Sequence, residues 1–388
     1  MHAALTEEQR LIGDMARKFA ITELEPIAAQ LDRNEDSAKN RQLFLANLQK
    51  LAELGFMGLN VNADYGGTDA GVVSFSLAIT EIARACASTA VTMSVTNMVG
   101  EVIQSVANEE QKQQYLPKLL SGDYAAGSFC LSEQGAGSDP AAMKTKAVKE
   151  GDSWVVNGTK AWITSAEYAG IFVVWAVTDP DAASGKGISC FLVEADTPGI
   201  TVGKAEQKMG QHASSTNMVS FDNCRIPSSA LMGELNDGFR IAVAELAGGR
   251  IGIGSLALGI GFAAMDYARQ YTTEREQFSR SLASFQGLQW MMADAYTQLE
   301  ASRLLLMNAA YLKDSGKPFN KAAAMAKLHA TETGNKVCYT AQQLLGGMGY
   351  IQDCPLERFA RDVRVTSVYE GTSEIQRIII ARELLNDL

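Results

Sequence analysis

The hydrophobic period of this chain changes twice along its length, and that limits its fold more than any motif does. From Thr6 to about Tyr124 apolar residues recur at helical spacing. Thr6 and Gln9 have capping-box spacing ahead of Leu11, Met15, Phe19 and Ile21. A second helix is predicted near residues 43–54, stopping at Gly55, and Asp64-Tyr65-Gly66-Gly67-Thr68 reads as a turn. Residues 72–106 are apolar and small and belong inside the protein, and residues 111–120 form a short amphipathic helix. Around Tyr124 the period drops towards two. Short runs at 124–131, 171–176, 188–193, 200–202 and 218–221 are separated by turns, and 154–164 reads as two strands around Asn157-Gly158, a hairpin signal. After Gly238 helical spacing returns. Leu288, Met292, Ala295, Leu299, Ser302 and Leu306 form the seam of a bundle helix. Gly316-Lys317-Pro318 ends it, and Asn320 is placed to cap the next helix, which runs to Gly346-Gly347. The expected fold is α+β and multidomain. It has an N-terminal α-helical domain (1–124), a central antiparallel β-barrel or sandwich domain (125–235) and a C-terminal four-helix bundle (236–388).

Charge and residue usage remove several function classes. A formal net charge of −10 with no offsetting basic block argues against nucleic-acid binding. No apolar run reads as approaching the roughly 20 residues that cross a bilayer. The first residues turn acidic without a basic-then-apolar leader. Six scattered cysteines, with no close pairs, read as reduced and buried, which points to the cytoplasm. His2, His212 and His329 are too few and too far apart for a metal site, so no metal is expected. Gly252, Gly254, Gly259 and Gly261 lack the strand–turn–helix context of a dinucleotide loop, and read instead as close approach between helices.

Four stretches carry possible chemistry. Val368-Tyr369-Glu370-Gly371-Thr372-Ser373-Glu374-Ile375-Gln376-Arg377 leads into a final apolar helix ending at Leu388. Ser373 and Gln376 have capping-box spacing, with Ile375, Ile378, Ile379 and Leu384 expected on or near the buried face. Glu370 then stands at a tight turn beside a helix start, either facing a ligand or merely favouring the helix dipole. Ser132-Glu133-Gln134-Gly135-Ala136-Gly137-Ser138-Asp139 offers backbone N–H groups to phosphate or carbonyl oxygens, or is simply a polar connection. Trp162-Ile163-Thr164 offers an indole face and a hydroxyl to a flat heterocycle, or is strand core. Arg275-Glu276-Gln277-Phe278 taken alone is a solvated helix end.

Together with Gln343-Leu344-Leu345-Gly346-Gly347-Met348-Gly349-Tyr350, these stretches occur in one order between Ser132 and Arg377. In that order the chain resembles the acyl-CoA dehydrogenase family over essentially its whole length. Gly249-Arg250-Ile251-Gly252-Ile253, Pro318-Phe319 and Ala324-Met325-Ala326-Lys327-Leu328 look most like the short-chain, butyryl-type branch. The resemblance implies non-covalent FAD and α,β-dehydrogenation of a short- to medium-chain acyl-CoA to trans-2-enoyl-CoA. It also implies a homotetramer that passes electrons to electron-transferring flavoprotein.

Carried over by position, the resemblance assigns Glu370 as the base that takes the α-proton. It places FAD against Phe129, Leu131, Ser132, Gly137, Ser138, Trp162, Ile163, Thr164, Thr372 and Glu374. Across a subunit interface FAD would meet Arg275, Phe278, Gln286, Gln343, Leu344, Gly346 and Gly347. Ser138, Arg250, Tyr369 and Gly371 would contact the substrate. Some branches carry the base immediately before the arginine matching Arg250; here that residue is Gly249. Departures from the pattern are Ala247 where an aspartate is frequent, Gln211-His212 where arginine is usual at the second position, Gln134 for proline and Phe129 for tyrosine. Ala247 and His212 suggest altered CoA handling or an unusual acyl group. Relatives that cleave C–S bonds, flavin oxidases or monooxygenases, and silent acyl-CoA-binding subunits are the competing readings. Retention of Glu370 and of the flavin motifs weighs against them.

Overall fold

The protein is described from a computed structural model, which covers residues 5–33 and 37–386. His2 and Leu388 lie outside the described residues. The N-terminal unit comprises α1 (Glu7–Phe19), α2 (Glu25–Arg33), α3 (Ser37–Glu53), α4 (Gly71–Ala85), α5 (Ala87–Val106) and α6 (Glu109–Ser121). The Thr6–Gln9 capping box forms, each side chain bonding the other's backbone. Residues 72–106 are two helices divided at Cys86, whose extended backbone ends α4 and precedes α5.

The central unit is an eight-stranded sheet: β1 (Gly127–Cys130), β2 (Lys146–Glu150), β3 (Ser153–Thr164), β4 (Ile171–Val177), β5 (Ile188–Glu194), β6 (Ile200–Val202), β7 (Thr216–Pro227) and β8 (Leu231–Met232). The order is β6-β7-β3-β2-β4-β5-β8, with β1 beside β4. Most neighbours are antiparallel as expected, but β1 runs parallel to β4, and β2 meets β4 in parallel through one residue pair. The Asn157-Gly158 hairpin does not form. β3 is continuous because β2 and β7 occupy both of its edges, so it cannot fold back on itself. The dipeptide marks a register shift against β7 instead. There Asn157 Oδ1 accepts the N–H of Asn223 at 2.8 Å, and a Cβ on Gly158 would stand 2.5 Å from Thr145 Oγ1.

The C-terminal unit opens with α7 (Gly238–Glu274), then a small hairpin of β9 (Glu276–Gln277) and β10 (Arg280–Ser281). It continues with α8 (Gln286–Asp314), α9 (Asn320–Leu345), α10 (Leu356–Arg364) and α11 (Ser373–Asn386). α7 packs against α4, α5, α8, α9 and α10. Among the described residues it is the one helix long and apolar enough to cross a membrane, contrary to the reading that no apolar run approaches that length. Glycines interrupt its apolar residues, and 83% of the apolar stretch is buried inside the protein, so it is a core helix. Ile251, Ile253, Leu256, Leu258, Ile260 and Met265 are at most 2% exposed, each worth about 1.5–3 kcal/mol of burial. Its glycines do permit close approach: Gly259 lies on the Thr80 carbonyl of α4, Gly252 on Ser94 and Phe75, and Gly261 on Leu299.

α11 differs from its predicted face. Ser373 and Gln376 are its buried residues, whereas Ile378, Leu384 and Leu385 are 51–67% exposed. The helix packs mainly against α9.

Candidate active site

Glu370 lies in the short segment between α10 and α11. Its backbone is left-handed, φ 50°, a conformation that costs about 1–3 kcal/mol for a side-chain-bearing residue and persists only where neighbours enforce it. The neighbours are identifiable. Lys327, fully buried on α9, donates from Nζ to the carbonyl oxygens of Tyr369 at 2.9 Å and Gly371 at 2.6 Å. Gln376 Nε2 donates to the Gly371 carbonyl at 2.8 Å. Gly371 itself has φ 88°, and a Cβ there would stand 2.6 Å from Gln376 Nε2. The Ser373–Gln376 capping box does not form. Thr372 Oγ1 caps α11 by accepting the N–H of Ile375, while Ser373 Oγ donates to Glu332 and Gln376 is committed to the turn.

The residue Glu370 is partly exposed, yet its Oε2 is sealed from solvent and has no hydrogen-bond partner. Burial raises its pKa to about 7, against the pull of Lys327 and then Arg250. Burial likewise lowers Lys327 to about 8 and Arg250 to about 10. Arg250 is 5% exposed, donates to Asn320 Oδ1, and keeps an unpartnered Nε. Asn320 is therefore not a helix cap: its amide also donates to Glu383, and α9 begins without a side-chain cap. Gly249 faces the same carboxylate. A Cβ there would collide with Glu370 Oε2 and come within 2.9 Å of Met98 Sδ.

The β-domain residues gather nearby. Ala161 N–H donates to the Ser132 carbonyl, and a Cβ on Gly137 would lie 3.9 Å from the Trp162 ring. Ser132 is half-buried, whereas Gly137 and Ser138 are exposed. Trp162 is 53% exposed with φ 58°, presenting its indole on a strained backbone. Ile163 and Leu131 point into the core, 2% and 5% exposed, so only their backbones remain for a ligand. Phe129 stacks on Trp175, ring centroids 4.2 Å apart. Thr164 is half-buried and pairs with Thr216; five residues before Thr216, Gln211 Nε2 donates to the Tyr369 hydroxyl at 3.3 Å. The strand end carrying Trp162 and Thr164 is thereby tied to the Glu370 turn.

A buried pair missed by the sequence reading holds the loop. Lys160 Nζ, fully buried on β3, donates to the Leu131 carbonyl at 3.0 Å and to Glu133 Oε1 at 2.9 Å. Glu133 also accepts the N–H groups of Lys144 and Thr145. Breaking such a buried pair by removing one partner costs about 3–5 kcal/mol.

The remaining predicted contacts do not join this cluster. Arg275, Phe278, Gln286, Gln343, Gly346 and Gly347 are exposed, and Leu344 is buried at 3%. Arg275 caps the far end of α7, about 37 Å along the helix from Arg250 at 1.5 Å per residue. Gly346 and Gly347 have open space where a Cβ would be. Thr372 and Glu374 sit at the start of α11, Glu374 exposed.

His212 turns away from this cluster. Its ring bonds the Asp32 backbone and the Lys208 carbonyl and pairs with the Asp32 carboxylate at 3.0 Å. Arg361 bonds the other side of Asp32, tying α2 to α10. The hydrogen bond to Asp32 raises the pKa of His212 from 6.5 to about 9. A raised folded-state pKa gives stability that is complete below pH 6.5 and is lost as pH rises through 9. The thermal midpoint is therefore expected to fall between pH 6.5 and 9.5, and His212→Gln to flatten that slope. An unchanged slope in the variant would place the titrating group elsewhere.

The same three-part arrangement recurs in known proteins. Family models match in all three parts: the acyl-CoA dehydrogenase N-terminal domain over 6–123, the middle domain over 128–224 and the C-terminal domain over 236–385. The chain is 47% identical to the mouse mitochondrial short-chain specific acyl-CoA dehydrogenase over 384 residues, 98% of this chain and 91% of that one. Butyryl-CoA dehydrogenase from Megasphaera elsdenii superposes with a TM-score of 0.94 at 36% identity, covering 99% of this chain and 100% of that one. A chain solved in work on the electron transferring flavoprotein of Acidaminococcus fermentans superposes at 0.95 with 41% identity over all of both chains. Fold, motif order and these likenesses agree, and the chain belongs to the acyl-CoA dehydrogenase family.

Proposed function

We propose that Glu370 removes the α-proton of a straight, short- to medium-chain acyl-CoA in the FAD-dependent dehydrogenation that family membership gives this chain, forming a trans-2-enoyl-CoA. One observation carries the reading: a sealed carboxylate oxygen without a partner, on a turn held in a strained conformation by a buried lysine. The α-proton of a thioester is weakly acidic, and a carboxylate with a pKa near 7 is a stronger base than an ordinary glutamate. The backbone N–H of Glu370 is assigned to the thioester oxygen, a role worth about 3 kcal/mol where negative charge develops. FAD, when bound, supplies the hydride acceptor.

The residues present fit a flavin. Trp162 offers an exposed ring face beside an open glycine loop, and the strand end that carries it is tied to the Glu370 turn. Phe129, Ser132, Gly137, Ser138, Trp162, Thr164, Thr372 and Glu374, with the backbones of Leu131 and Ile163, are assigned to it from one chain. Arg275, Phe278, Gln286, Gln343, Gly346 and Gly347, with the backbone of Leu344, are assigned from a neighbouring copy. The length of α7 supports that division, because one chain holds its two sets at opposite ends of the helix. Arg250, Ser138, Tyr369 and Gly371 are assigned to the acyl-CoA.

A homotetramer is the proposed assembly. The exposed apolar side of α11 supports it, as does a groove of about 760 Å³ lined by Met291, Leu305, Met325, Leu328 and Ile380. Electron-transferring flavoprotein is the proposed acceptor, supported by the likeness to the Acidaminococcus fermentans chain. Six buried, unpaired cysteines suit a reducing compartment, for which we propose the cytoplasm.

Anaerobic mixing with butyryl-, octanoyl- and a branched acyl-CoA tests the reaction. Bleaching of the flavin absorbance by at least one of them is expected. A flavin-loaded protein that none of them bleaches would overturn the reading.

A further inference from the structure

One turn before Gly249 on α7 lies a second set of buried charges that the chemistry above does not use. Glu245 is 8% exposed, and its Oε1 has no hydrogen-bond partner. Burial, and then the charge of Glu101, hold its carboxyl well above the usual range; Lys313 opposes this and Glu370 adds to it. Glu101 on α5 and Lys313 on α8 form a close ion pair whose side chains are 20% and 17% exposed. Gly248 makes room for that ammonium: a Cβ there would stand 2.5 Å from Lys313 Nζ and 3.9 Å from Glu101 Oε2. Asn60 lies against Glu101, its Nδ2 at 3.4 Å, and its own buried Oδ1 is unpartnered.

Two adjacent glycines thus face two adjacent groups. Gly249 opens onto Glu370 and Met98, and Gly248 opens onto Lys313 and Glu101. Glu245 feels the charges of both groups. It stands four positions before Gly249, about 6 Å along the helix. That rise is on the order of four carbon–carbon bonds beyond a reacting α-carbon beside Glu370.

We propose that Glu245 and Asn60, backed by the Glu101–Lys313 pair, form the far wall of the acyl pocket and select acyl groups whose distal end carries a hydrogen-bond donor, a hydroxyl or an ammonium. The proposal rests on Glu370 being the base. A plain alkyl end would leave the unpartnered oxygens of Glu245 and Asn60 desolvated and unmatched. A carboxylate end would meet three carboxyl groups, Glu101, Glu245 and Glu370, against one ammonium already paired. A distal donor satisfies the open acceptors without adding negative charge.

The test compares kcat/KM of the holoenzyme for matched acyl-CoAs of four to six carbons, ending in methyl, hydroxyl, ammonium or carboxylate. Hydroxyl or ammonium ends are expected to be preferred over methyl by about tenfold or more at one length, with carboxylate ends the poorest. Hydroxyl and ammonium arms separate the two sources of the donor. Glu245→Leu should erase the preference and favour methyl ends, while Glu245→Gln, which keeps the shape and an acceptor, should retain the preference for hydroxyl. Preference for methyl or carboxylate ends at every length would overturn the proposal, as would a donor preference that survives in Glu245→Leu. If none of the thioesters bleaches the flavin, the assignment of Glu370 fails instead.

Discussion

Glu370→Gln is expected to lower the rate of flavin reduction by an acyl-CoA about 10²- to 10⁴-fold, the contribution of a positioned general base. Glutamine has nearly the same shape, and the left-handed turn is held through the carbonyls of Tyr369 and Gly371 rather than through the side chain of Glu370. Affinity for a substrate analogue should therefore stay within a few-fold of the parent, read by the perturbation of the flavin spectrum. Reduction at the parental rate would show that another group takes the proton. Gly249 offers no substitute, because it has no side chain and faces the same carboxylate.

The second large effect is expected from Lys327→Met. Lys327 touches neither substrate nor flavin in the proposed arrangement; it positions the turn and is the largest charge holding the Glu370 pKa down. In the parent, reduction should rise with pH through about 7, as Glu370 loses its proton. Without the ammonium, that midpoint should move up by about one to three pH units, the effect of an opposite charge nearby. At pH 7 the ionised fraction, and with it the rate, falls about 5- to 500-fold, and raising the pH recovers part of it. The variant also leaves two carbonyls without this donor, so a lowered thermal midpoint is expected alongside. A merely structural lysine would lower the thermal midpoint and leave the pH profile in place.

The domain plan was legible because each change of hydrophobic period coincides with a change of architecture, and the α7 glycines do sit where helices touch. The positions brought together around Glu370 were legible from motif order rather than from any single residue. What escaped was set by distant partners. Lys327 stands on the buried stripe of α9 with Ala323, Ala330, Thr331 and Gly334, a cation at a core position, and that spacing was the available signal. Lys160 alternates inward on β3 in the same way, but its partner Glu133 belongs to a loop. Asn157-Gly158 misled because turn chemistry is local, whereas strand pairing on both sides decided the outcome. Asn320 and Ser373 have capping chemistry, yet Arg250 and Glu332 offered them charged partners.

The crowding between Gly249 and Glu370 also bears on how such an enzyme can change through descent. A lineage that moved its base onto α7 would need a side chain at 249 and a smaller residue at 370. Taken first, the change at 249 drives a new side chain into the space Oε2 already fills. Taken first, the change at 370 removes the proposed base. With Glu370 as the proposed base, either order passes through a form whose carboxylate is crowded or missing, so the two placements exchange most directly when both positions change together.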